Sequence, residues 1–478
     1  MLPKTFIFFA ISCISVVTAA GLNDNILEDF STVKGNGNYI IHLRPETSIK
    51  TFVPKFINGA TTIASQMMSH NNKVSQRAAE EEQFHIYDTY SIGNSFKGLT
   101  VKFEDASIVE NLVKEFSKDI LKIIPDQDIQ FDLPKPNNKK RFLARSEKRA
   151  ERQGNYDPEH FFDEDIEEAQ AIIINNTTLA ARAASDYVQQ SGAQWNLVRV
   201  SQRTRALTKP YIYDSDAGSN AYVYVVDDGM RTDHTDFGGR AQWGWSAYTG
   251  ISRNGGGHGT HVSGIIGGTT YGVAKKANLV AVQVLDESGS GSISAILSGL
   301  QWVATNSKKG RSVVNMSLGM KTAGVSSSAI SALNDAIDAV VSAGVPVVVA
   351  AGNWGTVDAC NVSPANNNNV FTVGATNRND RMTTFSSYGK CVQILAPGED
   401  IRSTYINSRT STESLSGTSM ASPHVAGVAA LLVSQLSNAT PSTVYRQLTN
   451  LATSGTISSI TGSTPNKLLF NGQQFSSA

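Results

Sequence analysis

The chain has 478 residues, enough for two or three domains at roughly 150 residues each. Lysine and arginine number 41, as do aspartate and glutamate, and this zero net charge excludes a nucleic-acid binder held by bulk charge. Charged residues are 17% and apolar residues 40%, which excludes a largely disordered chain, and three cysteines are too few for a disulfide-built scaffold.

Residues 1–20 read as a secretory signal peptide. Lys4 supplies the positive start, Phe6 to Val17 the apolar stretch, and Val17-Thr18-Ala19-Ala20 the small-residue cleavage region. The apolar run is too short to span roughly 30 Å of hydrocarbon, so no membrane association is expected after its removal. Cleavage takes Cys13 away and leaves Cys360 and Cys391. Two cysteines in an oxidising compartment fit one disulfide; the alternative is two separate core thiols.

Residues 38–131 read as a small α+β domain. Asn38 to Leu43 is a strand, and Phe84 to Phe103 holds two β-like runs around Gly93 and Gly98. Val109, Leu112, Val113 and Phe116 fall at helical spacing behind Asp105 as N-cap, and Ile120 to Ile124 is another strand. Residues 132–190 form a charge-segregated linker, with eight basic residues from Lys135 to Arg152 and seven acidic ones from Asp157 to Glu168. Such blocks, Lys139-Lys140-Arg141 among them, are expected to be a solvated, poorly ordered linker and a region open to a processing protease.

Residues 191–478 have a different texture. Ala221 to Val226, Leu279 to Leu285, Val313 to Met316, Val345 to Ala351 and Val392 to Ala396 read as buried strands. Ser292 to Thr305 and Ser327 to Val341 read as helices. Apolar strands alternating with helices predict an α/β fold, a mostly parallel sheet flanked by helices.

Three motifs stand out there. The first strand runs into Asp227-Asp228-Gly229, placing a carboxylate where parallel sheets bind ligands; Asp-Gly alone is also an ordinary turn. The second is Gly255-Gly256-Gly257-His258-Gly259-Thr260-His261, whose glycines let the backbone approach closely around a histidine. Metal ligation by His258 and His261 is disfavoured, because no glutamate lies between them. The third is Ser416-Gly417-Thr418-Ser419-Met420-Ala421-Ser422-Pro423-His424, a turn into a small-residue helix. A serine there caps the helix, or acts as a nucleophile whose oxyanion product meets free N–H groups.

In the order Asp, His, Ser, these motifs resemble the subtilisin-like serine proteases, specifically the proteinase K and cerevisin branch. The likeness runs from about Ser191 to the C-terminus. It implies an endopeptidase with Ser419 as nucleophile, His258 as general base and acid, and Asp227 orienting His258. Asn353, in Ala350-Ala351-Gly352-Asn353, matches the oxyanion-hole asparagine. Ser317-Leu318-Gly319 and Gly289-Ser290-Gly291 resemble the two edges that bind extended peptide, with Ala350 and Gly352 beside them. Residues 38–131 resemble the inhibitory propeptide, a ferredoxin-like domain. The resemblance thus implies a secretory zymogen bound for the vacuolar lumen or the exterior. It also implies peptide and protein substrates, the propeptide as intramolecular inhibitor, no required cofactor, a monomer, and a broad, apolar-leaning specificity. Cys360 and Cys391 match a disulfide of close relatives.

The sequence also departs from that pattern. Asp228 replaces a Thr or Ser able to donate to the catalytic carboxylate, as in the kexin-like branch, so a processing protease cutting after basic pairs is the alternative. A catalytically silent fold that binds partners is another. Val262 replaces a cysteine, Met320 a glycine, and Trp354 a small or polar residue; the last two are expected to reshape the specificity pocket. Gln393 replaces a calcium-binding aspartate, and an amide oxygen is the weaker ligand, so structural calcium at that site is disfavoured rather than excluded. Sequons stand at Asn175, Asn176, Asn315, Asn361 and Asn438. Asn175, Asn176 and Asn438 are expected to carry glycans, and Asn315 to be buried.

Overall fold

The computed structural model describes residue 26 and residues 35–70, 84–93, 95–103, 107–136 and 187–473. The expected signal peptide, most of the expected linker, Asp105, Asn175 and Asn176 lie outside the described residues. Among the described residues, no helix is long and apolar enough to cross a membrane.

The N-terminal unit runs β1 (Asn38–Leu43), α1 (Ile49–His70), β2 (Phe84–Ile92), β3 (Phe96–Phe103), α2 (Ile108–Phe116), β4 (Ile120–Pro125). Its strands form an antiparallel sheet in the order β2-β3-β1-β4, the ferredoxin-like arrangement. Strand alternation splits the side chains between two cores. Ile41 and Leu43 pack under the helices with Phe52, Phe56, Leu112 and Phe116. Ile40, Tyr90, Ile92, Phe96 and Ile124 face the other way, into a cluster shared with the larger unit. Local sequence does not announce α1, because Pro54, Gly59 and a run of Thr and Ile weaken its helical signal. The helix forms because Phe52, Phe56, Ala60 and Ala64, at four-residue spacing, bury one stripe on the sheet. A short strand, β5 (Asp128–Gln130), then leaves the domain.

The second unit begins with a hairpin, β6 (Tyr187–Gln190) and β7 (Tyr211–Asp214), with α3 (Trp195–Val200) between them. Tyr187–Gln190 is therefore strand and not linker. Its sheet follows from β8 (Tyr222–Asp227), β9 (Ala241–Ser246), β10 (Asn278–Gln283), β12 (Ser312–Met316), β14 (Val347–Ala350), β16 (Phe371–Thr376), β17 (Ile394–Pro397), β20 (Thr453–Ser454) and β21 (Lys467–Leu468). The order is β20-β21-β17-β16-β14-β12-β8-β10-β9, parallel throughout except for β20. Smaller pairs are β11 (Ser290–Ser292) with β5, β13 (Met320–Lys321) with β15 (Val362–Ser363), and β18 (Ile401–Thr404) with β19 (Thr412–Leu415).

Both faces of the large sheet are covered, which is why the central strands carry apolar residues on both faces, as Val223 to Val226 of β8 and Val347 to Ala350 of β14 do. In β8, Val223 and Val225 face α4 (His258–Gly267) and α7 (Thr418–Gln435), while Tyr224 and Val226 face α5 (Ile293–Asn306) and α6 (Ser327–Ser342). A last helix, α8 (Pro441–Leu451), closes the α7 side. Helix α7 is buried on all sides from Thr418 to Val433, so its alanines and glycine are packing residues.

Two buried histidines serve this packing. His424 Nδ1 donates to the Met420 carbonyl and Nε2 accepts from Asn196 Nδ2, both at 2.8 Å. His261 Nε2 donates to the Glu413 carbonyl at 3.0 Å. Burial pulls His261 down to about 3 and His424 to about 4. The unfolded chain takes up these protons near 6.5 and the folded chain does not. The stability that these two histidines contribute is therefore complete above pH 6.5 and falls below it, by about 1.4 kcal/mol per pH unit for each. Urea unfolding of a Ser419→Ala protein at pH 7 and pH 5 checks this; equal midpoints would remove the claim.

Candidate active site

The carboxyl ends of neighbouring parallel strands gather the polar groups of the site. Asp227 ends β8, Ser317 follows the adjacent β12, and Asn353 follows β14 beyond it. Facing them are the first turns of two helices, His258 opening α4 and Ser419 near the start of α7.

His258 Nδ1 lies 2.8 Å from Asp227 Oδ1, with the two side chains 3% and 0% exposed. Nδ1–H donates to the carboxylate, and Nε2 is left as a buried acceptor with no partner. Burial acts to lower the His258 pKa, but the charge and hydrogen bond of Asp227 and the charge of Asp228 outweigh it, and the net direction is upward.

Ser419 Oγ donates to the Ser317 carbonyl at 3.1 Å, not to His258. A hydroxyl has one proton to give, and here Ser317 takes it. The structure thus joins Asp227 to His258 and Ser419 to Ser317, and forms no hydrogen bond between His258 and Ser419. The Ser419 main chain is held as well. Pro423 has no N–H, so the Ser419 carbonyl four residues before it lacks its helical donor. Ser317 Oγ fills the gap at 2.9 Å. Asn315 braces this pair, donating to Ser317 Oγ and accepting from Ser422 Oγ, each at 2.9 Å. Asn315 is 0% exposed, as its sequence context predicts, whereas Asn361 and Asn438 are both exposed.

Asn353 Oδ1 accepts from Thr418 N–H at 2.8 Å and Thr418 Oγ at 3.0 Å, and Gly352 N–H donates to the same hydroxyl at 3.1 Å. With its oxygen so engaged, the amide presents Nδ2 as a free donor beside Gly417. Sequence reading missed Thr418, although it stands inside the serine motif. Replacing Asn353 by alanine is expected to lower kcat by roughly 100- to 1,000-fold with little change in KM. Steady-state kinetics on a peptide anilide measures it; an unchanged kcat would refute the donor role.

The Gly289-Ser290-Gly291 edge is occupied. β5 lies antiparallel on β11, pairing Gln130 with Ser290, Ile129 with Gly291 and Asp128 with Ser292. Phe131 N–H donates to the Gly289 carbonyl at 3.0 Å. Ile129, Phe131 and Leu133 alternate inward and are buried, and Pro134 then reaches Gly417. Upstream, Asp126 takes both the N–H and hydroxyl of Ser294 in the first turn of α5, and Gln127 accepts from Ser326 at the start of α6. These contacts went unread in the sequence; the alternating Ile129, Phe131 and Leu133 were the available signal. Ser317-Leu318-Gly319 carries no pairing with this segment among the described hydrogen bonds.

The departures resolve unevenly. Cys360 and Cys391 form a disulfide with a Cα separation of 5.3 Å. Met320 is buried in the same apolar cluster as Ile129, Phe131 and Leu133 of the docked segment. Trp354 lays its ring against Gly352, with Lys321 Nζ 5.3 Å from the ring centroid. The Gln393 side-chain oxygen accepts from Thr372 N–H and is not a free ligand. Among the described residues, no group of three or more His, Cys, Asp or Glu is arranged to hold a metal.

A family model described as the Subtilase family matches residues 218–469. Alkaline protease 1 of Aspergillus clavatus is 48% identical over 287 residues, covering 59% of this chain and 68% of that protein. Subtilisin-like protease 2 of Pseudogymnoascus destructans is 45% identical over 284 residues, covering 59% and 68%. Among solved structures, a cold adapted subtilisin-like serine proteinase is 41% identical with a TM-score of 0.55, covering 59% of this chain and all of the other. The parallel sheet, the polar strand ends and these likenesses lead to one conclusion: the chain belongs to the subtilase family and is a subtilisin-like serine endopeptidase.

Proposed function

We propose that the chain is a zymogen of a triad endopeptidase, and that its N-terminal domain inhibits it by lying in its own substrate cleft. Ser419 Oγ attacks the scissile carbonyl and His258 Nε2 takes its proton, later giving it to the leaving amine. Asp227 holds the ring through Nδ1 and stabilises its charged form. The Asn353 amide and the Ser419 N–H receive the oxyanion. The observation that carries this reading is the 2.8 Å Asp227–His258 bond, with a vacant Nε2 on the other side of the ring. The reaction requires release of the Ser419 hydroxyl from Ser317 and departure of the segment that occupies the β11 edge.

The occupied cleft supports both inhibition and specificity. Ile129 and Phe131 are 9% and 2% exposed on the β11 edge, so the subsites they fill are apolar. Asp228 turns its carboxylate to backbone N–H groups, which leaves nothing there to favour basic residues. Peptide-library profiling is expected to show large apolar residues at alternate positions before the cut, as Ile129 and Phe131 alternate on β11; a strict Arg or Lys requirement would overturn this. Inhibition has its own test. Changing Ile129 and Phe131 together to Asp buries charge, which costs several kcal/mol. The nicked complex is then expected to hydrolyse a small ester at least roughly tenfold faster than wild-type complex. Equal rates would sink the inhibitory role.

The exposed Asn438, with the sequence context Asn-Ala-Thr, supports glycosylation and passage through the secretory pathway.

A further inference from the structure

Asp228 stands beside the triad and touches none of its side chains; its carboxylate oxygens meet only backbone N–H groups. Its Oδ2 accepts from Gly256 N–H at 2.9 Å and His258 N–H at 3.2 Å, and its Oδ1 from Gly259 N–H at 2.7 Å. His258 and Gly259 are the first residues of α4, whose N-cap position is Gly257. Gly257 sits at φ +104° and has no side chain to cap the helix. The cap is therefore supplied from the bend just after β8, by a residue that is only 1% exposed.

The glycine run is held close to neighbouring backbone: a Cβ would lie 2.1 Å from the Asp228 carbonyl oxygen on Gly255, 2.3 Å from the Glu287 carbonyl oxygen on Gly256 and 2.2 Å from the Gly229 carbonyl oxygen on Gly259. The carboxylate lies just behind, 3.2 Å from the Gly256 position and 3.0 Å from that of Gly259. The Asp228 carbonyl is fixed in turn by Gln283 Nε2 at 2.8 Å. Meanwhile Asp227 Oδ1 takes both the Asp228 N–H and His258 Nδ1, and Asp227 Oδ2 has no partner. The hydroxyl donor expected at position 228 is thus absent, and the residue has been turned to a different task.

We propose that Asp228 is a positioning residue: its ionised carboxylate clamps the backbone of Gly256, His258 and Gly259 and so aims the His258 ring at Asp227. This rests on the triad reading above. Three charge-assisted bonds at a helix N-terminus hold better than one neutral cap and add a negative charge behind the imidazole. Around this carboxylate the titratable groups are Asp227 on β8, His258 on α4 and Tyr405 after β18, whose hydroxyl donates to the Gly256 carbonyl. Burial and the neighbouring Asp227 raise the Asp228 pKa, against the pull of His258 and the N–H donors. The clamp therefore loosens at a less acid pH than an ordinary carboxylate would.

The test is the pH profile of matured enzyme, with rates divided by fluorophosphonate-titrated sites, for wild type, Asp228→Asn and Asp228→Thr. Per site, kcat is expected to fall about tenfold in both variants with KM held within about twofold. The acid limb, which in wild type reports deprotonation of His258 together with ionisation of Asp228, is expected to move down by about half a pH unit or more in both variants, because the titrating carboxylate beside His258 has been removed. Per-site profiles that superimpose on wild type would overturn the proposal, even if fewer sites form or the protein melts lower. A second measurement needs no variant. In wild-type enzyme, the amide proton resonances of Gly256, His258 and Gly259 are expected to shift with one shared acid midpoint, and three unrelated midpoints would overturn it. Labelling that survives Ser419→Ala would instead bring down the triad reading, so the two failures are separable.

Discussion

Ser419→Ala is expected to abolish fluorophosphonate labelling and to lower kcat by roughly 10⁶-fold, the size known for the same constellation in subtilisin. The variant removes the only oxygen able to form the acyl-enzyme, yet the fold should stand. The Ser419 carbonyl still receives the Ser317 hydroxyl, and Asn353 remains tied to Thr418. Thermal unfolding should therefore stay close to wild type while turnover is lost. Labelling or turnover that persists in the purified variant would place the nucleophile elsewhere.

Asp227→Ala is expected to lower kcat by roughly 10⁴-fold. It leaves the His258 Nδ1–H buried and unpaired and removes the charge that stabilises the imidazolium. The sign in pH is fixed by the same contacts. The Asp227 and Asp228 charges raise the His258 pKa, so the wild-type acid limb lies above the ordinary histidine value of 6.5 and moves to lower pH without Asp227. Asp227→Asn separates charge from geometry. Oδ1 alone accepts both the Asp228 N–H and His258 Nδ1, so an amide oxygen there can keep both bonds. The asparagine variant is thus expected to lose less than the alanine variant. Equal kcat in wild type and Asp227→Ala would remove Asp227 from the mechanism.

The segment proposed above as an inhibitory tail joins the N-terminal unit to the site. Its contacts begin at helix starts, with Asp126 on Ser294 and Gln127 on Ser326, where unsatisfied N–H groups favour oxygen acceptors. They continue along β11 and end with Pro134 against Gly417, the residue preceding Thr418 and Ser419. The N-terminal sheet reinforces the docking by packing Ile40, Tyr90 and Phe96 into the same cluster as Leu297 of α5 and Ala336 of α6.

Much of the fold was readable locally. Strands such as Tyr222–Asp227 and helices such as Ile293–Asn306 announce themselves because two covered faces demand unbroken apolar runs and Ser292 caps the helix that follows. The candidate residues Asp227, His258, Ser419 and Asn353 were legible as well, since each lies in a short motif whose glycines or turn chemistry mark it. What the chain order could not show is which oxygen faces which donor. The Ser317 bond to Ser419, the engagement of Asn353 by Thr418, the turning of Asp228 onto the glycine loop, the burial of Met320 and the seating of Ile129 and Phe131 all join segments far apart in sequence. Those contacts exist only once the parallel strands set their registers, because hydrogen-bond direction depends on three-dimensional placement and not on residue type.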